Sequence, residues 1–366
     1  MTAAAGERYD VIVVGGGQAG LALGHFLARD GRRFAILEAA DAPAAAWRKR
    51  WDSLRLFTSA RYDSLPGLPF PGDADAYPGR DEVVDYLTRY AEHFELPVEL
   101  GSEVLAVRRG DDGFVVELRD RSLAAEQVVV ATGPFQTPRI PPIAERLEDG
   151  AVHMHSTAYR SPADVPSGPV LVVGGGNTGY QIAEELATSQ EVHLSVGSRQ
   201  TPLPQRLLGQ ELFRSLEAVR FLRVNVESRL GQRLQHGGET LIGSSPRAAR
   251  RRHGIRLQGR AVDASGREVR FADGSSLSPA AVIWATGFVL DHSFVKAPVF
   301  GADGRVVHRR GVTEVPGLYF LGLPWQYTRG SALLGWVKDD AEYIAAELAE
   351  RARVAPAPAG TARSVA

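Results

Sequence analysis

Gly15, Gly17 and Gly20 stand in the run YDVIVVGGGQAG, directly after four β-branched residues, Val11 to Val14. A strand ending in such a loop, with a helix opening at Gln18 and Ala19, suits one class of ligand. The first glycine permits the tight turn, the second lets backbone approach a pyrophosphate, and the third lets helix pack on strand. Glu38, ending the next apolar run Phe34 to Leu37, has the type and spacing to accept hydrogen bonds from a ribose 2′-hydroxyl and to repel a 2′-phosphate. This first site is expected to take FAD or NAD. The same spacing returns at Gly174, Gly176 and Gly179 in VLVVGGGNTG, with Asn177 and Thr178 opening the helix. Its following strand ends in no acid but in SVGSRQ, where Ser198 and Arg199 offer a hydroxyl and a bidentate guanidinium to a 2′-phosphate. The second site is expected to prefer NADPH.

Other chemistries lack residues. The chain has no cysteine, which excludes disulfides, thiolate metal sites and dithiol relays. His153 and His155 share the parity of one strand face, but no further ligand stands near them, so no metal site is expected. Asp339-Asp340 reads as a cap-region or solvated pair, and Arg247, Arg250, Arg251, Arg252 and Arg256 as a solvated coat. The absence of a catalytic dyad fits a protein whose cofactor carries the hard chemistry. Lys plus Arg total 42 against 43 Asp plus Glu, a formal charge of −1, so nucleic acid and anionic membrane surfaces are not expected partners. The N-terminus has no apolar signal segment, and the apolar runs are far shorter than the roughly 18 residues of a membrane span. The reading is a cytoplasmic protein acting on a small molecule, with homo-oligomerisation left open.

The elements that must position these residues follow from periodicity. A helix is expected over Gln18–Arg29, stopped by Asp30-Gly31, and another over Arg80–Leu96 with Asp81 as N-cap. Between them, Ala42 to Gly79 reads as long irregular loops rich in aromatics. Strands are expected at 103–109, 114–119 and 127–131, the last running into Ala131-Thr132-Gly133. The second glycine loop is followed by a helix over 178–188 and a strand over 192–196, and a strand at 281–285 runs into a second Ala-Thr-Gly ending at Gly287. Strands at 305–308 and 318–321 and a helix over 331–348 complete the pattern, with a disordered tail from Val354. The repetition predicts an α/β fold with two Rossmann-like dinucleotide-binding domains.

With both fingerprints, both Ala-Thr-Gly turns, WATGF at Trp284 to Phe288 and HSTAY at His155 to Tyr159 in place, the chain resembles the flavin-containing monooxygenases from Tyr9 to about Ala349. It is most similar to their short bacterial members and to the plant enzymes of auxin synthesis. His155 and Tyr159 match the family marker, while Asp149 and Ala151 stand where Phe and Gly are usual. Trp47 is kept from a Gly-Gly-x-Trp pattern whose glycines are here Ala44 and Ala45.

The resemblance implies a discontinuous FAD domain, 1–150 and 289–353, an inserted NADPH domain at 151–288, and the tail 354–366. It also implies that Trp47 contacts flavin, and that Gly322, ending GLYFLG, and a helix from Gly330 with Ser331 approach the isoalloxazine. In the family's scheme NADPH reduces FAD, and oxygen forms a flavin C4a-hydroperoxide that delivers one oxygen atom to the substrate. His155, Ser156 and Tyr159, at the domain crossing, are then expected to clamp NADP over the flavin. The loop Trp47 to Phe70 and the segment Trp325-Gln326-Tyr327 are expected to exclude water. Two other readings share the glycine loops: a reductase passing electrons to a quinone, metal or protein acceptor, and a non-enzymatic sensor of NADPH redox state.

Overall fold

The computed structural model describes residues 7–207, 209–237 and 239–354. Strand Arg8–Val14 is the axis of the first sheet, its Val11–Val14 segment buried as a parallel strand covered on both faces must be. The sheet order is Val295–Lys296, Ala106–Gly110, Gly113–Glu117, Ser122–Val130, Arg8–Val14, Phe34–Leu37 and Val98–Glu99. Ser122–Val130 is long enough to take two partners along one edge. Its first half pairs antiparallel with Gly113–Glu117, and its end, Val128–Val130, pairs in parallel with Leu318–Phe320. A sequence-distant strand thus completes the sheet. The second sheet is parallel throughout, in the order Arg256–Gln258, Val192–Ser195, Val170–Val173, Ala281–Trp284, Val152–His155. An antiparallel meander, Ala261–Ser265, Glu268–Phe271 and Ser276–Leu277, accompanies it.

All strands of the second sheet lie between two chain crossings, and the crossings pair with each other. Thr137–Pro138 and Phe288–Val289 form a two-stranded antiparallel ribbon. The fold is therefore two dinucleotide-binding units, the first built from segments on either side of the second.

Helix Gln18–Arg29 and strand Phe34–Leu37 have the expected bounds. Other expectations are corrected. The helix Arg80–His93 is capped by Gly79, whose N–H donates to the Glu82 carboxylate at 2.7 Å, while Asp81 pairs with Arg80. The long loop contains two short turns of helix, Ala45–Arg48 and Ala60–Tyr62. No strand forms at 305–308, because Val306 makes only a single bridge, to Phe300, around the turn at Gly304.

The last helix runs over Val337–Val354 and does not begin at Ser331. Arg329–Ala332 is a separate short turn, and the chain extends at Leu333 before Gly335 packs so close to Tyr62 that a β-carbon would lie 1.5 Å from its carbonyl oxygen. That contact overrides the apolar spacing. Val354 ends the helix rather than starting a tail, and the remainder of the expected tail lies outside the described residues. No helix among the described residues is long and apolar enough to cross a membrane.

Candidate functional site

The three glycines of the first loop face different surroundings. Gly15 has φ +112°, and a β-carbon there would lie 2.7 Å from the Ala131 carbonyl oxygen; on Gly20 it would lie 2.0 Å from that of Gly15. At Gly17 a β-carbon would meet no atom within 4 Å. The first and third are therefore needed by the protein itself, whereas the second opens on space at the N-cap of helix Gln18–Arg29, where unpaired N–H groups favour an anion. Glu38 binds this loop directly: its carboxylate accepts from Gly16 N–H at 2.9 Å and Ala40 N–H at 3.0 Å. Each oxygen keeps a lone pair for a further donor.

Gln18 links the loop to two distant segments. Its Nε2 donates to the Ala332 carbonyl at 3.0 Å, and its Oε1 accepts from Trp47 Nε1 at 3.1 Å. The Trp47 ring is thus held by the glycine-loop helix. Ala44 adopts the left-handed conformation, φ 55°, at a position where the resemblance calls for glycine. Gly322, φ +81°, lies against Ala19.

A cavity of about 590 Å³ joins the two loops. Its lining includes Gly15, Gly17 and Gly133 from the first unit and Asn177, Thr178 and Gln181 from the second. Trp47, Trp51 and Phe57 also line it, as expected of a cover, but Tyr62, Phe70 and the whole Trp325-Gln326-Tyr327 segment do not. Gln326 is buried and internally bonded, accepting from Leu323 N–H at 3.2 Å and donating to the Arg310 carbonyl at 3.4 Å. Ser331 Oγ accepts from Tyr327 and Thr328 N–H groups at 3.0 Å each. Both residues shape the turn before the last helix instead of facing the cavity.

The second loop repeats the first. Gly174 has φ +133°, and β-carbons on Gly174 and Gly179 would lie 2.1 Å from the Ala285 oxygen and 1.9 Å from the Gly174 oxygen. Asn177 clasps Thr240–Ile242 through Nδ2 to Thr240 O, 3.0 Å, and Oδ1 from Ile242 N–H, 2.9 Å. Ser198 and Arg199 are exposed just beyond strand Val192–Ser195. Two neighbours escaped sequence reasoning. Gln200 Nε2 donates to the Gly175 carbonyl while its Oε1 accepts from Tyr180, and Arg260 donates to the Gly197 carbonyl at 2.6 Å. Of the arginine cluster, Arg256 pairs with Glu191 at 2.5 Å, and Arg247, Arg250, Arg251 and Arg252 are exposed on helix Pro246–His253.

His155, Ser156 and Tyr159 are buried and absent from the cavity lining. Thr157 N–H donates to His155 Nδ1 at 3.2 Å, so Nε2 carries the proton and donates to the Gly287 carbonyl at 3.0 Å. Burial pulls this imidazole below its ordinary pKa, keeping it neutral. His155 fixes the Ala-Thr-Gly turn from behind. Tyr159 donates to Glu185 at 2.7 Å within the second unit. His153 Nδ1 accepts from Trp284 Nε1 at 3.3 Å, and no cluster of three or more potential metal ligands occurs among the described residues. Of the pair expected as cap-region or solvated acids, both stand in the first turn of the last helix, and Asp340 is buried there as the partner of Arg310 at 2.9 Å.

The model of the pyridine nucleotide-disulphide oxidoreductase family matches residues 12–208. An oxidoreductase of Geobacillus kaustophilus described as CzcO-like is 44% identical over 336 residues, covering 92% of this chain and 97% of that protein. An indole-3-pyruvate monooxygenase of Oryza sativa is 29% identical over 353 residues, covering 85% and 86%. The solved structure of a flavin-containing monooxygenase from Stenotrophomonas maltophilia superposes with a TM-score of 0.79 at 30% identity, covering 95% of this chain and all of that one. A bacillithiol disulfide reductase from Bacillus cereus, 19% identical over 94% of this chain and all of its own, shares the fold with a TM-score of 0.72.

Proposed function

Because the chain belongs to the pyridine nucleotide-disulphide oxidoreductase family and is a flavin monooxygenase-type oxidoreductase, we propose that it is an FAD-dependent, NADPH-consuming enzyme that inserts one oxygen atom into a small organic substrate. The observation that carries this reading is one cavity lined by Gly15 and Gly17 of the first loop and by Asn177 and Thr178 of the second, where two dinucleotides would meet. The absence of cysteine removes the alternative of passing electrons through the chain's own dithiol.

The residues fit FAD. Gly17 leaves open a cradle that a β-carbon would fill, Glu38 presents acceptors at the strand end, and Trp47 is locked beside the cavity. Gln18, Ala19, Gly133 and Gly322 flank the same space. Residues 1–150 and 289–353 form the FAD-binding part. Residues 151–288 hold NADPH through Gly174, Gly176, Asn177, Thr178 and Gly179, with Ser198 and Arg199 at the 2′-phosphate. When bound, the flavin supplies hydride acceptance and reaction with molecular oxygen. The chain orients the two nucleotides, fixes the Gly287 turn through His155, and excludes water with Trp47, Trp51 and Phe57.

The test is a stoichiometry. Across a panel of sulfides, amines, arylpyruvates and ketones, a true substrate is expected to consume NADPH and oxygen one to one with product, read by product mass and a peroxide assay together. Undiminished anaerobic turnover with a quinone acceptor, and no oxygenated product, makes the protein a reductase instead.

A second expected outcome concerns cofactor choice. Arg199→Ala should lose about 1.5–3 kcal/mol of a charge-assisted contact, roughly 10- to 150-fold in kcat/KM for NADPH, with little change for NADH. Equal losses for both cofactors assign Arg199 a structural role.

A further inference from the structure

Arg50 is a buried cation without an anion. It is 8% exposed, and its guanidinium lies 4.3 Å from the Phe135 ring centre and 5.2 Å from that of Phe288. Among the described residues, no carboxylate, carbonyl or hydroxyl accepts a hydrogen bond from its five N–H groups. The molecule supplies its own comparison. Arg310 is likewise held between two aromatic rings, Tyr327 at 4.3 Å and Tyr343 at 4.4 Å, but it has buried Asp340 at 2.9 Å. The Arg50 nitrogens are not among the side-chain atoms sealed from solvent without a partner, so they open onto the cavity, where an anion can reach them. Desolvation brings Arg50 down only to about 10, so it is charged at neutral pH.

Its placement is fixed. The Arg50 carbonyl accepts from Arg80 at 3.1 Å and Arg160 at 2.5 Å, and the side chain lines the cavity. Phe135 follows the first Ala-Thr-Gly turn and Phe288 the second. Each turn backs one glycine loop, through Ala131 against Gly15 and Ala285 against Gly174. Arg50 therefore stands between the two phosphate-binding loops, tied to both units by aromatic contacts.

We propose that Arg50 is the counter-ion of a dinucleotide phosphate, a contact that neither glycine loop provides and that closes only when the nucleotide is bound. Its planar fork suits the paired oxygens of a phosphate, and its aromatic flanks hold the guanidinium in place without an internal acceptor. The inference rests on the two-dinucleotide reading above.

The test compares wild type, Arg50→Met and Arg50→Lys by two titrations: FAD onto the stripped protein, and NADP⁺ onto the flavin-loaded protein followed by perturbation of the flavin spectrum. Arg50→Met should weaken one dinucleotide about 10- to 100-fold, and Arg50→Lys, which keeps charge but loses the fork, by less. Selective loss of FAD affinity assigns the flavin phosphates, and selective loss of NADP⁺ affinity with flavin retained assigns those of the nicotinamide nucleotide. Both outcomes support the proposal. Unchanged affinities for both in a folded Arg50→Met overturn it; should that variant not fold, wild-type affinities in Arg50→Lys overturn it. A wild-type chain that binds neither dinucleotide overturns the functional reading as well, which separates the two failures.

Discussion

Gly17→Val should give a folded protein that purifies colourless. Its β-carbon enters space that no protein atom occupies, and φ −81° with ψ −171° is backbone that valine adopts readily. The cost to folding is that of a poorer N-cap, about 1 kcal/mol. The flavin pyrophosphate needs the same space, and a clash of this kind costs about 1–3 kcal/mol or more, roughly 5- to 150-fold or more in affinity. Gly20→Val is the control, since its β-carbon would overlap the Gly15 carbonyl oxygen and the helix could no longer dock. That variant should be unstable whether or not flavin is present. Visible absorbance per chain and a thermal melt separate the two, and full flavin content in Gly17→Val would remove the first loop as the flavin site.

Asp63→Asn should stabilise the protein strongly at pH 8 and only about a quarter as much at pH 4.5. The Asp63 carboxyl is 1% exposed; Oδ1 accepts the Thr58 hydroxyl at 2.6 Å, while Oδ2 has no partner. Burial, helped by the nearby Glu211 charge and opposed by the Thr58 bond, raises its pKa to about 7. The folded state therefore holds this proton more tightly than the unfolded state. Stability is fully present below the unfolded value near 4, declines as pH rises through 7, and is flat above. A shift of roughly three pKa units at 1.36 kcal/mol each gives an upper scale of about 4 kcal/mol. The amide cannot ionise, so chemical denaturation of both proteins should show a difference of about 1 kcal/mol at pH 4.5 that grows to about 4 kcal/mol at pH 8. The same difference at both values would mean that Asp63 titrates elsewhere or not at all.

Much of the fold was legible because the glycine loops tie strand, turn and helix into short units whose ends are chemically marked. Asp30-Gly31 stops the first helix where the composition says it must. The last helix was not legible in the same way. Leu334 and Val337 keep helical spacing with Ile344, but the close approach of Gly335 to Tyr62 is made by residues far apart in sequence. Burial was the hardest property to read. His155 stands in a motif that suggests a nucleotide clamp, yet its hydrogen bond to Gly287 becomes visible only when the second sheet is assembled. Arg50 and Asp63 sit in a loop dense with aromatics and look like ordinary surface charges, since charged residues are almost always exposed. Their interest comes from burial without a charged partner, which composition does not report.

The late strand Leu318–Phe320 also sets an order of assembly. On the ribosome, strand Ser122–Val130 emerges early, but the edge of it that Leu318–Phe320 must fill stays open for roughly 190 further residues of synthesis. The inserted parallel sheet has all its strands once Trp284 has emerged. The second unit can therefore close as a self-contained folding module while the first waits with an unfinished edge. The topology thus runs against the usual vectorial order in which the N-terminal unit completes first. The exposed edge of Ser122–Val130 is then the segment at greatest risk of mispairing in the nascent protein.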